Sequence, residues 1–219
     1  LTQRYDLIVF DFDGTLADSL TWFRTALGDV VEHHGLPPIS PEKAESLRSL
    51  GPKEILAELS IPTWKVPFIA ADVRQRAAAN IDQITLYDGV TDMLREIDDA
   101  GIEIAMVSSN GEQAVRAVLG LENSDRVAQF ACGAAIFGKS QVFKKVIRNA
   151  KTRAERTLCI GDEVRDIEAA RETGAACAAV TWGFATAEIL TDSKPDYVFD
   201  KVSEIIPTAT AQARKLTDA

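Results

Sequence analysis

The segment Leu7-Ile8-Val9-Phe10, followed at once by Asp11-Phe12-Asp13-Gly14-Thr15, does most to limit what this chain can become. An unbroken apolar run of that length fits a strand buried on both faces, and the acidic residues mark where it ends. Similar runs recur at 102–107, 157–160 and 175–180, with a weaker one at Tyr197–Phe199. Stretches with helical spacing lie between them, at 90–100, 112–119, 140–150 and Val164–Thr173. Gly101 and Gly174 directly follow two of these stretches, as glycines that end helices do. Buried strands alternating with amphipathic helices predict an α/β fold: a Rossmann-like parallel sheet with right-handed crossovers.

The alternation breaks once, between the first and second strands. Leu20, Phe23, Leu27, Val30 and Val31 recur at helical spacing before Gly35 and Pro37-Pro38 stop them. Ser40-Pro41 reads as an N-cap with proline in the first turn, opening a helix over 42–49. Gly51-Pro52 starts another over 53–59, and 62–84 reads as one long helical stretch. This is far more chain than a crossover of about a dozen residues needs. We therefore expect an α/β core over 1–16 and 87–219, with an inserted all-helical cap over 17–86. Helices packed on the sheet as part of one domain are the plain alternative. Trp22 and Trp64 are expected to pack inside the cap. The adjacent His33 and His34 do not share a helical face, so no metal site is expected there.

Composition excludes several classes of function. Among 219 residues, 33 acidic against 24 basic side chains give a net charge of −9, which repels nucleic acid and anionic membranes. An anionic substrate must then be met by a local positive site. Cys132, Cys159 and Cys177 lack C-x-x-C spacing and read as reduced, structural thiols. No apolar run approaches the roughly 20 residues of a membrane span. The expectation is a soluble cytoplasmic protein, a monomer or weak homodimer.

Open parallel sheets bind ligands outside the carboxyl ends of their strands, and four features fall there. Asp11 and Asp13, one residue apart at a strand end, can reach one small site, although Asp and Gly also favour plain turns. Ser108-Ser109-Asn110-Gly111 follows the second strand and offers hydroxyls and N–H groups to an anion, or simply caps a helix. Gly138-Lys139-Ser140 opens a helix, where a lone lysine is more often a solvated charge. Asp162 and Asp166 follow the strand at 157–160 and face one site, with helix capping as the bland alternative.

In this order the features resemble the haloacid dehalogenase superfamily, in its phosphatase branch. The match includes DFDGTLADS, SSN, the lysine before a helix and GDEVRDIEAARETGA. Tyr87-Asp88-Gly89-Val90, Val180-Thr181-Trp182-Gly183-Phe184 and Lys194-Pro195-Asp196-Tyr197-Val198 are similar to the phosphoglycolate phosphatase-like group, which carries a helical cap at this insertion point. The family usually has Lys-Pro where this chain has Lys139-Ser140, so Lys144 and Lys145 are fallbacks.

The resemblance implies a phosphatase acting on small phosphate monoesters, phosphoglycolate-like substrates among them, through an aspartyl-phosphate on Asp11. It implies Asp13 as general acid and base, and Ser108 and Lys139 on the phosphoryl group with Ser109 and Asn110 beside them. It also implies Mg²⁺ held by Asp11, Asp162 and the Asp13 carbonyl, with Asp166 supporting. Dehalogenases and phosphonatases of the superfamily lack the second carboxylate, so ester chemistry is expected. A mutase resembling β-phosphoglucomutase is the alternative, and a non-catalytic phospho-ligand binder is the alternative of another class. Arg48 and Lys53, in the turn between two cap helices, are candidates to meet a second anionic group of the substrate, with ordinary solvated charges flanking a helix start as the plain alternative.

Overall fold

The computed structural model describes residues 5–133 and 138–211, so the ends of the expected core and residues 134–137 lie outside the described residues. Six strands are present: β1 (Leu7–Asp11), β2 (Glu103–Ser108), β3 (Gln129–Cys132), β4 (Thr157–Gly161), β5 (Ala176–Val180) and β6 (Tyr197–Phe199). They form one parallel sheet in the order β3-β2-β1-β4-β5-β6. The direction of winding reverses beside β1, where such sheets open a crevice at their carboxyl ends.

The apolar run of β1 serves two cores at once. Ile8 and Phe10 point into a cluster with Val90, Met93, Leu94 and Ile97 of helix α5 (Val90–Asp99). Leu7 and Val9 point the other way, against Phe143, Val146 and Ile147 of α7 (Lys139–Asn149) and Ile167 of α8 (Val164–Thr173). Burial on both faces is why the strand reads as a continuous hydrophobic stretch and not as an alternation. Helix α6 (Glu112–Asp125) links β2 to β3, and α9 (Ala187–Asp192) and α10 (Ile205–Thr210) complete the layers.

Strand β3 has no counterpart among the predicted runs. It lies at the sheet edge, all four of its residues are only partly buried, and Gln129 donates to Glu103 at 2.7 Å. An edge strand half-open to solvent needs no apolar run.

Between β1 and β2 lie α1 (Ser19–His33), α2 (Pro41–Leu47), α3 (Pro52–Glu58) and α4 (Val66–Ala79). Asp18 caps α1 by accepting from Thr21 N at 3.1 Å, and Ser40 caps α2 by accepting from Lys43 N at 3.2 Å. The stretch 62–84 is not one helix. Single 3-10 turns at Thr63–Lys65 and Ile81–Gln83 flank α4, the second following Asn80 at φ −121°. The two connectors run side by side: Ala17 bridges Leu86, Asp18 N donates to Thr85 O and Tyr87 N to Leu16 O.

Trp22 is 5% exposed, as anticipated, but Trp64 is 66% exposed and corrects the expectation that both tryptophans pack inside. Trp64 meets the equally exposed Phe68 edge-on at 6.5 Å, one turn along, and Lys65 Nζ lies 5.8 Å over its ring, while Val73 and Ala77 supply the packed face of α4. Among the described residues no helix is long and apolar enough to cross a membrane.

Candidate active site

Register brings the chemistry together. Asp11 ends β1 opposite Val107 of β2, and Phe10 pairs with Ile160 of β4, so residues following β1, β2 and β4 share one crevice. Asp11 is buried; its Oδ1 accepts from Phe12 N at 2.8 Å and its Oδ2 lies 2.7 Å from Lys139 Nζ. Lys139 also pairs with Asp166. Burial alone would lower the lysine's pKa, but Asp11 and Asp166 hold it above its ordinary value. Burial pushes the Asp11 carboxyl up, against the pull of Lys139. Lys144 and Lys145 are exposed on the outer side of α7, so Lys139 is the lysine in the site.

Asp13 is held from the second strand's end. Ser108 Oγ donates to Asp13 Oδ2 at 3.2 Å, and Asn110 Nδ2 donates to both carboxylate oxygens at 3.0 and 2.9 Å. Asn110 N in turn donates to Ser108 Oγ at 3.0 Å. Thus the side chains of Ser108 and Asn110, expected on a phosphoryl group, here orient Asp13, while Ser109 lines the cavity above. Burial, then the neighbouring Asp11 charge, raises Asp13's pKa to about 6.

Asp162 is fully buried at the end of β4, accepting from Thr15 Oγ1 at 2.9 Å and from Phe184 N at 2.7 Å. Burial and the nearby Glu163 push its pKa well up. Asp166 accepts from Glu163 N at 3.0 Å, which caps α8 as well as facing Lys139. Backbone without β-carbons makes room for these carboxylates. At Gly14, with φ +74°, a β-carbon would overlap Asp162 Oδ2 and lie 2.6 Å from the Phe184 ring. One at Gly161 would overlap Asp166, and one at Gly183 would overlap Asp162.

One carboxylate oxygen each from Asp11, Asp162 and Asp166 lie within 4.8 Å of one another, all buried. These three buried carboxylates share Lys139, while the nearby Arg165 is paired with Glu163, and an all-oxygen set of this kind suits a small hard dication. The residues present therefore fit Mg²⁺. His33, His34 and Asp72 also approach one another, but Asp72 is bound by Arg76 through both carboxylate oxygens at 3.0 Å.

Arg48 does not line the crevice. Its Nε donates to Phe184 O at 2.9 Å, its Nη2 to Gly183 O at 3.1 Å, and its Nη1 pairs with Glu45. It ties α2's end to the loop that holds Asp162. Lys53 is exposed and does not line the crevice either. Residues that the sequence reading passed over do line it: Arg74 from α4, and the Glu163–Arg165 pair. For Glu163 and Arg165 the signal was present, since both sit inside the GDEVRD segment; for Arg74 no local pattern marks it.

Residues 8–180 match the family model described as haloacid dehalogenase-like hydrolase. The phosphoglycolate phosphatase of Synechococcus elongatus is 28% identical over 211 residues, covering 95% of this chain and 99% of that protein. A haloacid dehalogenase-like family hydrolase from Streptococcus pneumoniae superposes with a TM-score of 0.76 at 22% identity, over 93% of this chain and 97% of that one. CbbY from Rhodobacter sphaeroides, solved in complex with phosphate, gives 0.72 at 22% identity, over 92% and 96%. These two structures speak to the fold alone; the family model and the curated relative speak to the chemistry. The chain belongs to the haloacid dehalogenase-like hydrolases and is a phosphatase among them.

Proposed function

We propose that this enzyme is a Mg²⁺-dependent hydrolase of small-molecule phosphate monoesters, with Asp11 as nucleophile and Asp13 as general acid and base. The observation that carries this reading is the pairing of a buried carboxylate, Asp11, with a half-buried one, Asp13, at one strand end. Asp11 lies against Lys139, and Asp13 is held away from that lysine by Ser108 and Asn110. Two equivalent carboxylates thereby receive different partners and different work.

Asp11 attacks phosphorus, forming an O–P bond as the ester P–O bond breaks and its electron pair leaves with the alcohol oxygen. Asp13 delivers its proton to that oxygen, releasing a neutral alcohol. It then takes a proton from water, whose oxygen attacks phosphorus. The acyl O–P bond breaks, Asp11 is restored as a carboxylate, inorganic phosphate leaves, and Asp13 again carries its proton. Lys139 offsets charge on Asp11 and on the phosphoryl oxygens throughout. Asp11, Asp162 and the Asp13 carbonyl, with Asp166 supporting, would hold Mg²⁺, which when bound supplies positive charge that lets two anions meet.

The test is phosphate release from p-nitrophenyl phosphate by the purified protein, with Mg²⁺ and with excess chelator. Release should require the cation, and Asp11→Asn should abolish it without lowering the thermal transition. Undiminished release in chelator, or in the variant, would overturn the assignment. Phosphoryl movement within a sugar phosphate without release of inorganic phosphate would mean a mutase, and no turnover of any ester would mean a binding protein.

A further inference from the structure

Resting on that reading, the walls of the crevice say what kind of alcohol carries the phosphate. A cavity of about 330 Å³ lies over Asp13 and Asn110, between the inserted helices and the carboxyl ends of the strands. That is at the lower end of the roughly 300–1,000 Å³ of small-molecule pockets, and far more than a two-carbon acid fills. Of the residues that the inserted helices contribute to it, all but Ser19 and Arg74 are apolar. Trp22 and Phe23 of α1 face it together with Ile69 and Val73 of α4. Phe23 meets Phe184 of the core edge-on at 6.1 Å, so aromatic side chains line the cavity from both sides.

Arg74 is the charged exception in this wall. It is half-buried, and among the described residues it has no hydrogen-bond or ion-pair partner, whereas Arg76 on the same helix is paired with Asp72. A guanidinium with five donors beside apolar side chains is costly until an acceptor reaches it. A polyhydroxylated sugar would lose water from the hydroxyls that face the inserted-helix wall and find only Ser19 and Arg74 there to replace it, the other polar groups lying on the core side. A flat apolar group would instead be matched by the aromatic and aliphatic surfaces.

We infer that the substrate is a phosphate monoester of a largely apolar, ring-bearing alcohol with an anionic group at its far end, the phosphate lying at Asp11 and the far anion at Arg74. Arg74 then takes the part that sequence reading gave to Arg48, whose guanidinium is committed to Gly183, Phe184 and Glu45.

Three esters of primary alcohols test this with the Mg²⁺-loaded enzyme at one pH: phosphoglycolate, benzyl phosphate and 4-carboxybenzyl phosphate. kcat/KM should rise about tenfold or more from the first to the second, and about tenfold again to the third. Arg74→Ala should lower kcat/KM for the carboxylated ring about tenfold more than for benzyl phosphate. Arg74→Lys keeps the charge without the fork and should fall between. Phosphoglycolate outrunning benzyl phosphate, or equal losses on both ring esters in Arg74→Ala, would overturn the inference while leaving the phosphatase reading intact. If wild type releases phosphate from none of the esters nor from p-nitrophenyl phosphate, it is the phosphatase reading that fails.

Discussion

In the floor of the crevice, Asp11, Asp13, Asp162 and Asp166 each hold a hydrogen bond or an ion pair to a named partner, whereas in its roof Trp22, Phe23, Ile69 and Val73 touch by shape alone. The floor comes from the ends of strands and the first turns of helices, whose positions the sheet fixes. The roof comes from helices α1 to α4, joined to the sheet by two adjacent connectors. Moving charge in a reaction demands fixed polar partners, because a half-satisfied buried network is costly. Recognising an apolar group asks only for volume and surface, which many sequences supply. The same crevice thus joins a region intolerant of chemical change to one that tolerates it.

Four measurements would break or sharpen that contrast. The largest effect is expected at Asp13. Asp13→Asn should slow esters with poor leaving groups by about 10²–10⁴-fold, and an activated aryl phosphate much less, since a stable leaving anion needs little protonation. The ratio of the two rates in wild type and variant decides it, and equal losses would make Asp13 structural.

Next is Lys139→Met, which leaves Asp11 and Asp166 buried without their cation. Urea unfolding without added divalent ion should show a loss of about 3–5 kcal/mol, the usual result of breaking a buried ion pair from one side. A loss under about 1 kcal/mol would mean that the floor is not held by this lysine.

In the roof, Trp22→Ala should cost about 3 kcal/mol or more, as large aromatic truncations do. Trp64→Ala should stay within about 0.5 kcal/mol. Similar losses at the two positions would contradict their burial.

A further small effect lies far from the crevice, where Arg156 Nε donates to Asp6 at 2.8 Å across the amino-terminal ends of β1 and β4. This hydrogen bond holds Asp6 below its ordinary pKa of 3.8. A lowered carboxyl pKa adds stability above the unfolded value and loses it as pH falls through the folded one. Asp6→Asn should therefore cost under about 1 kcal/mol at neutral pH, the side chain being half exposed, and the difference should begin to shrink near pH 3.8 and vanish once pH is below the folded pKa, which lies lower. A difference that persists at lower pH would exclude the ion pair as its source.

Much of the floor was legible in the sequence, because each of its residues sits within a few positions of a buried strand's end. Asp11, Asp13, Asp162 and Asp166 are carried by local backbone that the apolar runs announce. Lys139 was legible only through its place before a helix, and its contacts, not its neighbours in sequence, separate it from Lys144 and Lys145. Strand β3 left no run because only part of its surface is covered. Arg74 left none because a helix residue facing a cavity looks, in sequence, like one facing water. Arg48 shows the converse: a charged residue at a suggestive turn is satisfied by carbonyls more than a hundred residues away.

The glycines under the carboxylates bear on how such a chain can drift over generations. At positions 14, 161 and 183 even a β-carbon would lie within 2.3 Å of Asp162 or Asp166, so alanine, elsewhere the mildest of replacements, would push a site carboxylate out of place. Inherited variation is thus steered away from the floor and into α1 and α4, where one apolar residue can replace another. New substrates can be acquired there by single substitutions, while the reaction stays the same.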